Sequence, residues 1–239
     1  MKDKVAVVTG SAKGIGRQVA LAFGREGAKL VLADADEARL RTTAQELSDM
    51  AIDCVAVPTD VRVEADVRRL VERAASHFGG IDVLVNDAGI VPHFAWGVPR
   101  WPRIREMEES FWQGVLSTNL GGTFLCTKQV LPYLEQRGGG HVINLHGGGG
   151  ERACAYVVSK EAIRTFTRFV AEEEREAKVC VICVSPGQAI ATEDAPEEAR
   201  NRLPRPDSLD RLFLQAAQAG MELSGTTVQL RDGQLQPLP

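Results

Sequence analysis

Apolar, β-branched runs alternate with amphipathic stretches along nearly the whole chain. The runs with strand composition are "KVAVVTG", "AKLVLAD", "DCVAVPTD", "IDVLVNDAG", "HVINLHG", "VCVICVSPG" and "TTVQLRDG". Helical spacing of apolar residues falls between them, at residues 17–25, 37–49, 64–77 and 106–134. Repetition of strand, helix and strand predicts parallel strands joined by right-handed crossovers. We therefore predict an α/β fold, with a doubly wound parallel sheet of about seven strands and helices on both faces.

The size and charge of the chain narrow its class. A chain of 239 residues without a linker or a shift in composition is expected to form one domain, over residues 1–239. Its net charge of −4 does not favour a nucleic-acid partner, which usually requires a basic surface. The five scattered cysteines do not indicate a disulfide framework, and the four histidines do not have metal-ligand spacing. We therefore expect neither nucleic acid nor metal in the site.

Hydropathy gives no sign of a membrane protein. The chain runs from "MKDK" directly into "VAVVTG", without a long apolar leader segment. No stretch approaches the ~18 consecutive apolar residues that indicate a membrane span. We expect a cytoplasmic protein.

Two irregular segments interrupt the alternation, at residues 90–105 and 188–206. Both follow predicted strands, and both are rich in proline and charged residues. Ligands of doubly wound sheets bind beyond the carboxyl ends of the parallel strands. The two segments are therefore predicted to be pocket loops that enclose a small-molecule substrate.

A glycine-rich turn in "VAVVTGSAKGIGRQVA" joins the first predicted strand to the first helix. Gly10, Gly14 and Gly16 permit a tight turn, and a helix N-terminus offers free N–H groups to a pyrophosphate. Asp34 ends the next strand, where its carboxylate can accept hydrogen bonds from a ribose diol. This context predicts a Rossmann-type dinucleotide site.

Two charged residues bear on which dinucleotide binds. The carboxylate of Asp34 would bind the free hydroxyls of NAD and would repel the 2′-phosphate of NADP. Lys13, inside the turn, could instead neutralise that phosphate. We expect NAD, with NADP as the less favoured alternative.

Tyr156 and Lys160 are four residues apart in "YVVSK", so a helix would place them on one face. Tyrosine has an ordinary pKa near ~10, and a neighbouring ammonium would favour the phenolate. We expect Lys160 to lower the pKa of Tyr156, which would then exchange a proton with an alcohol or a carbonyl oxygen.

These motifs together resemble the short-chain dehydrogenase/reductase family over nearly the whole chain. "TGSAKGIG" is similar to its TGxxxGxG turn, "NDAG" to its NNAG and "YVVSK" to its YxxxK. "TNLGGTF", "SPGQAIAT" and "SGTTVQLRDG" also have counterparts in the same order. The resemblance implies cofactor contacts from a set of residues that spans these motifs: Gly10, Ser11, Lys13, Gly14, Ile15, Gly16, Asp34, Asp60, Val61, Asn86, Ala88, Gly89, Tyr156, Lys160, Pro186, Gly187, Ile190 and Thr192.

The resemblance also implies catalytic roles. Tyr156 would be the general acid or base, Lys160 would hold the nicotinamide ribose, and Asn119 would anchor a water of the proton relay. Family members usually associate through the two long helices that follow strands four and five. The resemblance therefore implies a homodimer or homotetramer.

One family position is not matched. The segment that resembles the family's "NISS" reads Asn144, Leu145, His146, Gly147, so the serine that would bond the reacting oxygen is absent. Loss of one such donor typically costs ~10²–10³ in rate. His146 is a candidate to make up part of this loss, because a neutral imidazole can donate one hydrogen bond. The alternative is that His146 only ends a strand.

The sequence thus predicts an NAD(H)-dependent oxidoreductase that interconverts a secondary alcohol and a ketone by hydride transfer. One alternative is a nucleotide-binding protein with little or no turnover, in a regulatory or scaffold role. Another is an epimerase or lyase that uses bound cofactor without net redox change.

Overall fold

The computed structural model of the protein describes residues 1–91, 102–148 and 153–238. Its strands form one sheet in the order β3-β2-β1-β4-β5-β6-β7-β8. Their bounds are β1 Val5–Thr9, β2 Lys29–Asp34, β3 Cys54–Pro58, β4 Val83–Asn86, β5 Gly140–Leu145, β6 Val179–Val184, β7 Thr227–Arg231 and β8 Gln234–Pro237. Strands β1 to β7 pair in parallel, as predicted.

The eighth strand corrects the prediction of about seven. β8 pairs antiparallel with β7, with Leu230 opposite Leu235. Asp232 and Gly233 have φ angles of 51° and 76°, so the chain reverses in a two-residue turn. The short and largely polar "QLQP" gave no strand signal of its own.

Helices cover both faces of the sheet. Among the described residues they are α1 Gly14–Arg25, α2 Glu37–Asp49, α3 Glu64–Phe78, α4 Glu109–Leu116, α5 Gly122–Gln136, α6 Cys154–Glu173, α7 Glu197–Arg200 and α8 Asp210–Ala216. A π-helical turn, Ser117–Gly121, joins α4 to α5. The single helix predicted over 106–134 is therefore two helices with one wider turn between them. No helix in the described ranges combines the length and the apolar character needed to cross a membrane.

The core lies in two layers, one on each face of the sheet. Ala6 and Val8 belong to one apolar cluster, whereas Val5 and Val7 belong to the other. All five side chains of β1, including that of Thr9, are buried. Because successive strand residues point to opposite faces, a continuous apolar run signals a strand covered on both sides. This confirms the doubly wound α/β architecture.

Candidate active site

A cleft of about 700 Å³ lies at the carboxyl ends of β1, β2 and β4. This is the position at which parallel α/β sheets bind ligands. Most of the residues predicted to contact the cofactor line it: Gly10, Lys13, Gly14, Ile15, Asp34, Asp60, Val61, Ala88, Gly89, Tyr156, Lys160 and Thr192.

The backbone of the glycine-rich turn is packed so closely that two of its positions have no room for a side chain. Gly10 has a φ of 69°, and a Cβ there would lie 2.8 Å from the backbone nitrogen of Ala88. A Cβ on Gly16 would overlap the carbonyl oxygen of Gly10. The shape of the turn therefore depends on glycine at both positions.

The N-terminus of α1 already holds carboxylates. The Gly14 amide donates a 2.8 Å hydrogen bond to Oε2 of Glu193, and the Gly16 amide donates to Asp87. Lys13 pairs with Asp194. Free N–H groups and a positive helix dipole attract anions, and a carboxylate is chemically close to a phosphate oxygen. The donors of this cradle therefore fit the pyrophosphate of a dinucleotide.

Asp34 is held rigidly at the end of β2. Its Oδ2 accepts a 3.1 Å hydrogen bond from the Ala12 amide, and its Oδ1 accepts one of 2.9 Å from the Asp36 amide. Arg39 lines the same part of the cleft, at the start of α2. The carboxylate is thus held in a fixed position in the cleft, and its contact with a ribose stays a prediction.

Asp60 and Arg62 form the far wall of the cleft. The Nε of Arg62 donates to Oδ1 of Asp60 at 2.9 Å. Hydrogen bonds from this guanidinium hold the pKa of Asp60 below its ordinary value. The pair therefore adds little net charge to this side of the cleft.

Tyr156 and Lys160 lie together in the cleft, as their helical spacing predicts. The Nζ of Lys160 lies 5.6 Å from the centroid of the Tyr156 ring. It donates a 2.9 Å hydrogen bond to the carbonyl oxygen of Leu145, at the end of β5. Lys160 is buried at 4% exposure, so its position is determined by these contacts.

The direction of the Tyr156 shift corrects the sequence-based expectation. Burial, and then the negative charge of Asp87, raise the pKa of Tyr156 to about 12. Burial also lowers the pKa of Lys160, against the charges of Asp87 and Cys183. Removal from water disfavours the phenolate more than the neighbouring ammonium favours it. Tyr156 is therefore a protonated phenol at neutral pH.

Gly147, rather than His146, faces the Tyr156 hydroxyl. A Cβ on Gly147 would overlap that oxygen. The ring of His146 turns away, and its Nε2 lies 3.1 Å from Oε1 of Glu161. Burial lowers the pKa of His146 although Glu161 opposes the shift, and Nδ1 has no partner among the described residues.

The expectation that His146 replaces the missing serine therefore finds no support. His146 is not among the described residues that line the cleft. The direction of its backbone at the end of β5 sends its ring toward α6 instead.

Asn119 lies in the π-helical turn and is fully buried. Its Oδ1 accepts a 2.7 Å hydrogen bond from the Ile90 amide, and its Nδ2 donates to Ser159 at 3.1 Å. These bonds join the chain after β4 to the helix that carries Tyr156 and Lys160. The side chain therefore braces the site, whereas its role toward a water stays a prediction.

Comparison with known proteins decides the family. Residues 4–202, which are most of the chain, match the sequence model of the short chain dehydrogenase family. The chain therefore belongs to the short-chain dehydrogenase family. It is 33% identical over 190 residues to the hydroxy(phenyl)methylsuccinyl-CoA dehydrogenase subunit BbsD of Thauera aromatica, covering 78% of this chain and 73% of that protein. It is 39% identical over 191 residues to the L-fucose dehydrogenase of Bos taurus, covering 77% and 65%.

Solved structures agree on the fold of this short-chain dehydrogenase. A short-chain type dehydrogenase/reductase from Mycobacterium marinum superposes with a TM-score of 0.85 at 26% identity, covering 97% of this chain and 95% of that one. A single-substitution variant of the actinorhodin polyketide ketoreductase, solved with NADPH, superposes with a TM-score of 0.84 at 26% identity and 96% coverage of both chains. Members of the family bind nicotinamide cofactors. The dehydrogenase and ketoreductase names of these relatives support the conclusion that this protein is an oxidoreductase.

Some predicted cofactor residues of this short-chain dehydrogenase are not among the described residues that line the cleft. They are Ser11, Gly16, Asn86, Pro186, Gly187 and Ile190. Ser11 and Asn86 are buried beneath the turn and within β4. Gly16 shapes the turn from below. The cofactor contacts of all six residues stay predictions.

The pocket loops are only partly described. The loop predicted at 90–105 includes residues 92–101, which lie outside the described residues. The loop predicted at 188–206 contains α7 and brings Thr192 and Asp194 to the cleft.

Sequence reasoning missed several lining residues of this short-chain dehydrogenase, among them Arg39, Asp87 and Asp194. The position of Arg39 in the first turn after Asp34 could have indicated it. Asp87 stands where the NNAG motif has its second asparagine, and this difference could have marked it as a site residue. Asp194 meets the turn from 181 positions away, so no local pattern could have found it.

Proposed function

We propose that this protein is an NAD(H)-dependent oxidoreductase that interconverts a secondary alcohol and a ketone. The observation that carries the proposal is the placement of Tyr156 and Lys160 in the same cleft as the glycine-rich turn. A proton donor for the substrate oxygen and a cradle for a dinucleotide therefore share one space. A bound nicotinamide would supply or accept the hydride.

The protonated state of Tyr156 favours carbonyl reduction at neutral pH. A phenol with a pKa of about 12 can give the proton on its Oη to a carbonyl oxygen as that oxygen gains charge. Lys160 sits below the ring and is held by the Leu145 carbonyl, so it can support the charge that then develops on Oη. The reverse reaction, alcohol oxidation, would require high pH or a group that lowers the pKa of Tyr156.

NAD is the cofactor that we propose. The Asp34 carboxylate is fixed by two backbone amides, so it cannot move aside easily for a 2′-phosphate. Arg39 lies nearby, but its Nε lies 3.5 Å from Oδ2 of Asp36, so its charge is partly compensated by a residue outside the loop after β6. Comparing the Kd of NADH with that of NADPH measures the preference directly.

The substrate is proposed to be a small molecule that enters between the two pocket loops. L-fucose and a CoA thioester are named for relatives of this chain, and neither is transferred to it. We also propose assembly as a homodimer or homotetramer through α5 and α6, the long helices after β4 and β5.

The test is to offer a panel of ketones to the protein with NADH and to measure their reduction as the decrease in NADH absorbance. Tyr156→Phe should lower turnover about 10²–10⁴-fold, because general acid catalysis typically contributes that much. Tyr133→Phe is the matched control, since Tyr133 is the other of the two tyrosines in the chain and is not among the described residues that line the cleft.

Two results would contradict the proposal. If wild type turns over none of the ketones or alcohols above the Tyr156→Phe background, but still binds NADH, the protein is a nucleotide-binding protein without turnover. If Tyr133→Phe and Tyr156→Phe lose activity equally, the loss does not report proton transfer.

A further inference from the structure

Two consecutive acidic residues of the loop after β6 meet the glycine-rich turn. Oε2 of Glu193 accepts the Gly14 amide at 2.8 Å. Asp194 pairs with Lys13 and lies 4.0 Å from Nη1 of Arg39. Residues far apart in sequence thus give the first helix an anion at the point where it begins.

The segment lies directly over the turn. A Cβ on Gly14 would lie 3.4 Å from Cγ2 of Thr192 and 3.9 Å from Oε2 of Glu193. Gly14 itself has a φ of 61°. Thr192 and Asp194 line the same cleft as Asp34 and Tyr156. Asp194 therefore takes up space within the cleft, and Glu193 uses one of the hydrogen-bond donors of the turn.

The donors that Glu193 and Asp194 use are those that a pyrophosphate needs. One amide N–H at a helix N-terminus cannot serve a carboxylate and a phosphate oxygen at full strength together. Two anions placed at this point also repel each other. Binding of a dinucleotide at the turn therefore requires the Glu193 carboxylate to leave.

The segment is suited to leave without unfolding its surroundings. Glu193 and Asp194 are exposed, whereas Ile190 and Ala195 on either side are buried at 9% and 5%. The buried residues can act as anchors while the residues between them move. Asp87, by contrast, follows β4 directly and holds the Gly16 amide from the sheet side.

We propose that Glu193 and Asp194 form an internal pseudo-ligand, which competes with the cofactor pyrophosphate for the N-terminus of α1 and lowers cofactor affinity until the two carboxylates move away. The inference rests on the proposed function, because it assumes that the cleft binds a dinucleotide. Beyond that function, the proposal assigns a competitor of the cofactor to two side chains of the protein itself.

Binding measured by calorimetry tests the competition, with NAD⁺, ADP and adenosine as probes. Glu193→Gln should lower the Kd of NAD⁺ and ADP about tenfold, because a hydrogen bond to a charged acceptor is replaced by a neutral one. Adenosine has no pyrophosphate, so its Kd should not change. The advantage of the variant should shrink at high salt, since the pair is exposed.

Glu198→Gln is the matched control. It removes the same charge from an exposed residue of α7, five positions away, without removing a contact to the turn. If Glu198→Gln tightens NAD⁺ binding as much as Glu193→Gln does, net charge and not competition is the cause, and the proposal is overturned.

A readout without cofactor is amide hydrogen exchange. In the free protein, Glu193→Gln should speed exchange of the Gly14 amide, whereas Glu198→Gln should leave it unchanged. Unchanged exchange and unchanged Kd for NAD⁺ in Glu193→Gln would overturn the proposal, and weaker NAD⁺ binding in that variant would show that Glu193 assists the cofactor instead. If no variant binds NAD⁺ or ADP at all, the proposed function fails, and this inference fails with it.

Discussion

The hydroxyl of Tyr156 lies against the backbone of Gly147, in the space that a side chain there would fill. Position 147 follows His146 at the end of "NLHG", so glycine stands closest to the reacting group. The glycine therefore admits the phenol to the end of β5. A larger residue at position 147 would have to displace the Tyr156 hydroxyl.

Gly147→Ala should lower turnover about 10- to 100-fold, because a displacement of the proton donor by about 1 Å can cost that much. The Kd of NADH should stay the same, because the glycine-rich turn is untouched. Steady-state kinetics and calorimetry separate the two effects. Gly148→Ala is the control, since a Cβ there meets no atom within 4 Å among the described residues; equal losses in both variants would contradict the steric explanation.

Asp87 gives the site a pH dependence of defined sign. Burial raises the pKa of Asp87 from 3.8 to about 7, against the charge of Lys160. The folded state thus binds more protons than the unfolded state between pH ~4 and ~7, so this group's contribution to stability falls as pH rises through that window. Above pH 7 the carboxylate is ionised and also raises the pKa of Tyr156.

Asp87→Asn should therefore gain stability relative to wild type on going from pH 4.5 to pH 8. Urea unfolding at the two pH values measures the difference. The variant should also lower the pKa of Tyr156 seen in the pH profile of ketone reduction, because one negative charge is removed. A constant stability difference at both pH values would mean that Asp87 does not titrate in this range.

Residue identities were predictable where the chemistry is local. Gly10, Gly14 and Asp34 belong to one strand–turn–helix–strand unit, and all three line the cleft. The pKa direction of Tyr156 was not predictable, because it depends on how deeply the fold buries the ring. The contact of Glu193 with Gly14 depends on a loop path that no periodic pattern encodes.

A buried polar network joins the elements beneath the site. The Nδ2 of Asn86 in β4 donates to Oδ1 of Asn144 in β5 at 2.8 Å and to Oγ1 of Thr127 in α5 at 3.1 Å. The Nδ2 of Asn144 donates to Oγ1 of Thr167 in α6 at 2.9 Å. Two strands and the two helices that follow them are thus held in one arrangement.

Asn144→Ala should lower the free energy of unfolding by about 2–4 kcal/mol, since it removes buried hydrogen bonds and leaves a small cavity. Urea denaturation measures the loss. Asn201→Ala, at an exposed position after α7, is the control and should change stability little. A loss in Asn144→Ala no larger than in the control would mean that the network contributes nothing net.

Elements with a strong pattern were predicted well, and those that depend on context were not. β1 to β7 follow from apolar runs that both faces of the sheet bury. The π-helical turn carrying Asn119 was missed, because its residues keep helical spacing while one turn widens. β8 was missed because pairing with β7, and not its own composition, makes it a strand.

On the scale of the whole molecule, α5 and α6 present large apolar side chains to solvent. Phe124, Val158 and Phe169 are 46%, 42% and 52% exposed. Phe124 packs edge-on against Phe166 with ring centroids 6.4 Å apart, so the surface spans both helices. Exposed apolar patches of this kind are typical of protein interfaces.

Phe169→Glu should shift the protein toward monomer, because it places a charge in the proposed interface between copies. Light scattering with size-exclusion chromatography measures the mass. Met50→Glu is the control, since Met50 is 43% exposed at the end of α2, away from α5 and α6. A wild type that is already monomeric, or an unchanged mass in Phe169→Glu, would contradict assembly through this surface.

The hydrogen bond between Glu193 and the Gly14 amide also affects the rate of cofactor binding. A cofactor that must wait for the Glu193 and Asp194 carboxylates to move cannot bind faster than they open the site. In rapid mixing, the observed rate should rise with NAD⁺ concentration and then level off at the opening rate. Glu193→Gln should raise this limiting rate. The carboxylate would then set the maximum rate at which the cofactor enters the cleft.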